Sequence, residues 1–126
     1  MNEFKIVLVG QPNAGKSTLF NVLSDIKAAT ANFSGTSVKI IQSTIQLGGN
    51  VFQLLDLPGT YSLNAVDDAE KITQQYLLNE KIDMIINVVD STLLARSLEL
   101  TCELLELGLP MAIALNMQDE AEKRGL

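Results

Sequence analysis

Eight consecutive residues, Gly10-Gln11-Pro12-Asn13-Ala14-Gly15-Lys16-Ser17, fit the pattern G-x-x-x-x-G-K-[ST]. Their types suit one task, holding a nucleoside triphosphate with magnesium. Gly10 and Gly15 permit a tight path and close backbone approach. Converging backbone N–H groups and a following helix N-terminus offer partial positive charge to phosphate. Lys16 can reach the β- and γ-phosphates, Ser17 can place its hydroxyl on magnesium, and Thr18, at the helix start, belongs with the nucleotide-binding residues. The plainer reading is a glycine-rich turn with a surface lysine. The flanks argue against it: an apolar stretch from Phe4 to Val9 precedes the loop, and a helical pattern from Thr18 to Leu23 follows.

Two further segments extend the same chemistry. Asp56-Leu57-Pro58-Gly59 closes an apolar run roughly 40 residues after the loop. A carboxylate at the end of such a run must find a partner or lose solvation, and magnesium, directly or through water, is one. Gly59 can offer its N–H to the γ-phosphate. Asn116-Met117-Gln118-Asp119 follows the last apolar run. A carboxylate at Asp119 can accept from N1–H and the exocyclic amine of guanine. Adenine has no such pair of donors and would leave the carboxylate unmatched. Asn116 can brace the base loop, and Met117 lies between the two. Alone, D-x-x-G is a turn and N-x-x-D a helix cap; in this order behind a phosphate loop they point to GTP. Asp90, in Val88-Val89-Asp90-Ser91, reads as a cap or loop tie and not as a chemical group.

These residues need elements to position them. Phe4–Val9 reads as a buried first strand and Lys16–Leu23 as a helix with Leu19, Phe20 and Leu23 on its apolar face. The polar, alanine-rich stretch 24–37 reads as a mobile loop. Val38–Leu47 and Val51–Leu57 are strands joined through Gly48-Gly49-Asn50 as an antiparallel hairpin. Ala69–Leu78 reads as a helix facing inward with Ile72, Tyr76 and Leu77. Met84–Val89 is a strand, Leu94–Leu107 a helix stopped by Gly108 and Pro110, Met111–Leu115 a strand, and Asp119–Arg124 the start of another helix. Alternating strands and helices imply an α/β fold, a mainly parallel sheet covered on both faces with one antiparallel edge strand. Ligands in such sheets bind beyond the carboxyl ends of the strands, where the polar, glycine-containing segments fall.

Composition excludes other classes. The 126 residues suffice for one domain, and 47% hydrophobic content with three prolines argues against disorder. Net charge is −6 with no basic run, so nucleic acid is not an expected partner. The chain has no histidine, which removes histidine catalysis and leaves magnesium, an oxygen-liganded ion, open. Cys102 lies in an apolar helical pattern and is expected to be buried; a single cysteine allows no internal disulfide and suits a reducing compartment. No apolar run approaches the roughly 18 to 20 residues of a membrane helix, and no leader peptide is evident.

With the motifs in place, the chain resembles the cytosolic G domain of the bacterial ferrous iron transport protein B family. The likeness rests on Asp56-Leu57-Pro58-Gly59-Thr60-Tyr61-Ser62-Leu63, on Ile85-Ile86-Asn87-Val88-Val89-Asp90, and on Leu104-Leu105-Glu106-Leu107-Gly108-Leu109-Pro110 leading into Ala114-Leu115-Asn116-Met117. It covers essentially all of the chain. Met117 is part of it, since most small GTPases carry lysine there. The resemblance implies a P-loop NTPase of Ras-like G-domain type: phosphate loop 10–17, switch I about 28–38, switch II about 56–70, base motif 116–119. It implies GTP and GDP as ligands, magnesium held by Ser17, Ser37 and Asp56, and a potassium ion beside the phosphates held by Asn13. Asn32-Phe33-Ser34-Gly35 resembles the start of switch I, whose carbonyls can complete that cation's shell. Lys16, Asn13, Ser37 and Gly59 are the residues it places at hydrolysis. It implies slow turnover, because Thr60 stands where many GTPases have a water-orienting glutamine. It implies control of ferrous iron uptake through C-terminal helical and transmembrane domains of the same polypeptide, at the cytoplasmic face of the bacterial inner membrane, with homo-oligomers open.

Several positions depart from the family. Switch I reads Gly35-Thr36-Ser37-Val38 where Gly-Val-Thr-Val is usual, so the magnesium threonine aligns with Ser37, and Thr36 stands beside it. Gln11 replaces the usual asparagine. The segment Asn64–Glu70 is short for switch II. A last strand and helix are expected beyond Leu126, so the sequence reads as part of a longer protein and its final strand as an unpaired edge. The competing readings are a soluble potassium-type GTPase of ribosome assembly or tRNA modification, and a nucleotide-binding regulatory domain without turnover. A basic RNA-binding domain downstream would favour the first, and multiple apolar 20-residue spans the transporter.

Overall fold

A computed structural model describes residues 3–11, 14–24, 29–32, 39–61, 63 and 68–116. The sheet has six strands: β1 (Glu3–Gly10), β2 (Ala29–Asn32), β3 (Lys39–Leu47), β4 (Asn50–Asp56), β5 (Met84–Asp90) and β6 (Met111–Asn116). Three helices join them: α1 (Lys16–Leu23), α2 (Asp68–Asn79) and α3 (Leu94–Leu105). The order across the sheet is β2-β3-β4-β1-β5-β6. Strand β1 pairs in parallel with β4 and β5, and β5 with β6. Only β3 runs against the others, antiparallel to both β2 and β4.

The hairpin forms as its glycines require. Leu47 pairs with Asn50, leaving Gly48 and Gly49 as a two-residue turn with φ +59° and +79°. Both angles are left-handed, which suits the twist of the flanking strands. One expectation changes here: Ala29–Asn32, inside the stretch read as a loop, is a strand on the outer edge of β3. Its Ala-Thr-Ala-Asn sequence is only four residues long and carries alanine and asparagine, both depleted in strands, so it is its pairing along β3 that defines it.

Two cores sit on the two faces of the sheet. On one, Val7, Val9, Leu55 and Ile85 meet Tyr76 and Leu77 of α2 and Leu100 and Leu104 of α3. On the other, Leu8, Leu54 and Val88 meet Ala14 and Phe20. Helix α2 turns Ile72, Tyr76 and Leu77 inward as the periodicity predicts. Helix α1 buries Phe20, while Leu23 in its last turn is exposed. Helix α3 stops two residues earlier than expected. Its end tightens through bonds from Leu107 N–H to the Leu104 carbonyl and from Gly108 N–H to the Leu105 carbonyl, and Gly108 takes φ +73°. Cys102 is exposed, contrary to expectation. The buried stripe of α3 is Ser97, Leu100, Thr101 and Leu104, and position 102 falls outside that spacing. The expected helix Asp119–Arg124 lies outside the described residues.

Candidate phosphate and magnesium site

Five strands share one direction, so the carboxyl ends of β1, β4, β5 and β6 open on the same edge. At the end of β1, a Cβ built on Gly10 would stand 2.6 Å from the carbonyl oxygen of Val88. Glycine is needed there because β5 passes so close. The loop turns with Ala14 N–H donating to the Gln11 carbonyl at 3.1 Å. Gly15 then takes φ 90° and ψ 22°, a left-handed conformation, and starts α1.

Among the described residues no side chain caps this helix start, and its first turn holds no acidic residue. The first N–H groups of a helix lack intrahelical acceptors and carry the positive end of its dipole. Such an end accepts an anion. Gln11, Gly15, Lys16 and Ser17 line a concavity of about 300 Å³ above it. Ser17 and Thr18 are exposed and Ala14 is buried beneath the loop.

Lys16 Nζ donates to Asp56 Oδ1 at 2.7 Å, with the two side chains 10% and 6% exposed. The need for a partner at Asp56 was legible in the sequence, but the partner here is Lys16. Register explains it: Leu8 pairs with Asp56, so β4 ends alongside the loop that Lys16 closes. Two opposite charges so far from water compensate each other. Magnesium suits the donor set at this edge. Asp56 and Ser17 offer oxygen only, and magnesium commonly takes one or two protein oxygens and completes its shell with phosphate and water. Among the described residues no three His, Cys, Asp or Glu side chains cluster into a metal cage.

After Asp56 the chain stays against β1. Leu57 N–H donates to the Leu8 carbonyl at 3.3 Å and Thr60 N–H to the Gly10 carbonyl at 2.9 Å. This carries Gly59, half-buried, up beside the loop. Thr60 is fully buried and donates from Oγ1 to Glu70 Oε2 at 3.0 Å. Thr73 Oγ1 donates to the Pro58 carbonyl. Asp90 acts as the cap it was read as, accepting from Thr92 N–H at 2.9 Å and Thr92 Oγ1 at 2.6 Å.

The structure thus gathers Gly10, Gln11, Ala14, Gly15, Lys16, Ser17, Thr18, Asp56 and Gly59 at one edge, and the backbone of Asn116 ends β6 on that edge. Pro12, Asn13, Thr36, Ser37, Met117 and Asp119 lie outside the described residues. A buried polar set beneath the site was not foreseen. Asn87 Nδ2 donates to the Val9 carbonyl at 3.1 Å, and Thr101 Oγ1 donates to Asn87 Oδ1. The signal was a single asparagine inside the apolar run Met-Ile-Ile-Asn-Val-Val.

The Fe(2+) transporter FeoB of Campylobacter jejuni is 45% identical over 126 residues, all of this chain and 21% of that one. The chain therefore spans about a fifth of the length of that curated relative. The crystal structure of the G domain of the T. maritima FeoB iron transporter superposes with TM-score 0.91 at 39% identity, over 97% of this chain and 77% of that one. An S. thermophilus NFeoB mutant bound to GDP superposes with TM-score 0.88 at 37% identity, over 98% of this chain and 48% of that one. The family model described as ferrous iron transport protein B matches residues 4–126. On a match that spans nearly the whole chain, the protein belongs to the ferrous iron transport protein B family.

Proposed function

We propose that the chain is the GTP-binding domain of a ferrous iron transporter, hydrolysing GTP slowly at the cytoplasmic face of the bacterial inner membrane. The observation that carries this reading is the Lys16–Asp56 pair set beside an uncapped helix start. With nucleotide bound, Lys16 would pair with phosphate oxygens, and Asp56 and the Ser17 hydroxyl would be the residues to hold magnesium, which would supply charge neutralisation at the phosphates. In this reading the backbone of the phosphate loop and the start of α1 orient the phosphates, and Gly59, next to the Thr60 N–H that bonds the Gly10 carbonyl, offers its own N–H. Ser37 belongs to the magnesium shell and Asn13 to a potassium shell by family likeness. Asn116, Met117 and Asp119 form the guanine end.

Slow turnover follows from Thr60. Its hydroxyl, fully buried, donates to Glu70 Oε2. GDP in the S. thermophilus relative supports guanine nucleotide as the ligand. Iron passes through a membrane part of the same polypeptide, with the helical segment between; no helix among the described residues is long and apolar enough to cross a membrane. Homo-oligomers fit this arrangement, whereas the ribosome-assembly reading loses ground to the family match.

The test is a titration of fluorescent GDP and ATP analogues with magnesium, followed by phosphate release from GTP in potassium and in sodium. The reading requires guanine-selective binding and measurable release; binding of neither nucleotide rejects it. Equal rates in the two salts would remove the potassium shell alone.

A further inference from the structure

Helix α3 contributes no residue to the nucleotide motifs, yet three contacts run from it to the loops that hold them. Gln11, 5% exposed, donates from Nε2 to the main-chain carbonyl of Arg96 at 2.9 Å. Glutamine's length brings its amide to that carbonyl; asparagine is one methylene shorter. The Arg96 guanidinium carbon lies 5.4 Å from the Tyr61 ring centroid, within cation–π range. Glu103 accepts the backbone N–H of Leu63 at 2.5 Å. Residues 96 and 103 are two helical turns apart and so share one side of the helix.

The helix is itself fixed to the sheet. Thr101 joins Asn87, which joins the Val9 carbonyl, one residue before Gly10. Ser97 Oγ donates to the Asp90 carbonyl at the end of β5. A buried polar set of this kind holds one arrangement and resists sliding. The start of α3 therefore stands as a rigid bracket between Gln11 and Tyr61.

We propose that Gln11 and Arg96 are positioning residues that couple the phosphate loop to residues 60–63 through the first turn of α3. When the loop takes up phosphate, Gln11 carries the change to the Arg96 carbonyl, and Arg96 carries it to Tyr61. Glu103 anchors the far end of the segment. The coupling runs beside the direct bond from Thr60 N–H to the Gly10 carbonyl. It rests on the reading that the loop holds a guanine nucleotide.

The experiment uses the full-length chain, with and without GDP, and follows amide hydrogen exchange of the 60–63 segment together with release of N-methylanthraniloyl-GDP. Gln11→Asn keeps the amide and loses the reach, and Arg96→Ala removes the cation. Each should speed both exchange at 60–63 and GDP release about fivefold, the factor for one modest contact. The double variant should be no faster than the faster single, because the two act in series. Arg96→Lys should recover most of the wild-type behaviour. Additive effects in the double variant, unchanged exchange in the singles, or faster exchange without faster GDP release would each overturn the coupling. A wild-type chain that binds no GDP defeats the nucleotide reading instead, and exchange measured without GDP then decides whether Gln11 and Arg96 act in series.

Discussion

Lys16 and Asp56 show how much one pair of residues decides. Each is nearly enclosed, and each is the other's partner at 2.7 Å. Replacing Lys16 by Ala strands a buried carboxylate and should cost about 3–5 kcal/mol of stability in the nucleotide-free chain. Urea unfolding reads that loss directly, and a Lys16→Ala/Asp56→Ala chain should lose less than the sum of the two singles. Gly10 is as constrained for a different reason. Gly10→Ala puts a methyl 2.6 Å from the Val88 carbonyl, so the loop must leave β5. We expect a loss of about 1–3 kcal/mol by overpacking, with nucleotide affinity falling alongside it in the same titration. The identities of these residues were legible from spacing alone. Their pairing was not: from the sequence the expected partner of Asp56 is magnesium, and only the register of β4 on β1 brings it to Lys16.

Among the elements, α3 and the β3–β4 hairpin contrast. The hairpin was readable because its turn demands left-handed angles at two successive positions, and two glycines supply them. Gly49→Ala should cost about 1–2 kcal/mol, while Gly48→Asn should be nearly neutral; thermal unfolding of the two variants separates them. Helix α3 was readable in outline only. Its leucines mark a helix, but its inward stripe includes Ser97 and Thr101, which a hydrophobicity pattern passes over. Thr101→Val keeps the shape and leaves the Asn87 amide oxygen without its donor. A loss of about 1–3 kcal/mol is expected in chemical denaturation, and restoring shape-matched apolar character at both sites with Asn87→Leu should recover part of it. Strand β2 was missed because its residues say nothing of burial; it exists by pairing with β3.

At the scale of the molecule, the sheet ends among the described residues on β6, where Ile113 and Leu115 are 52% and 57% exposed. An exposed apolar edge invites pairing with another chain. The 126-residue chain should therefore self-associate with rising concentration, and Leu115→Lys should reduce it in sedimentation measurements. The sequence by itself laid out the candidate chemistry: a run that fits a phosphate loop, a strand-end aspartate and an N-x-x-D segment in fixed order, because each proposed role needs particular atoms at short separations along the chain. It also determined the alternation of strands and helices, because burial imposes a period. The tertiary structure decided which groups meet. Lys16 on Asp56, Thr60 turned to Glu70, and Gln11 on Arg96 join residues 40, 10 and 85 positions apart. Such pairings follow from strand order and register, which arise from the packing of the whole sheet and leave no mark in any local stretch of residues.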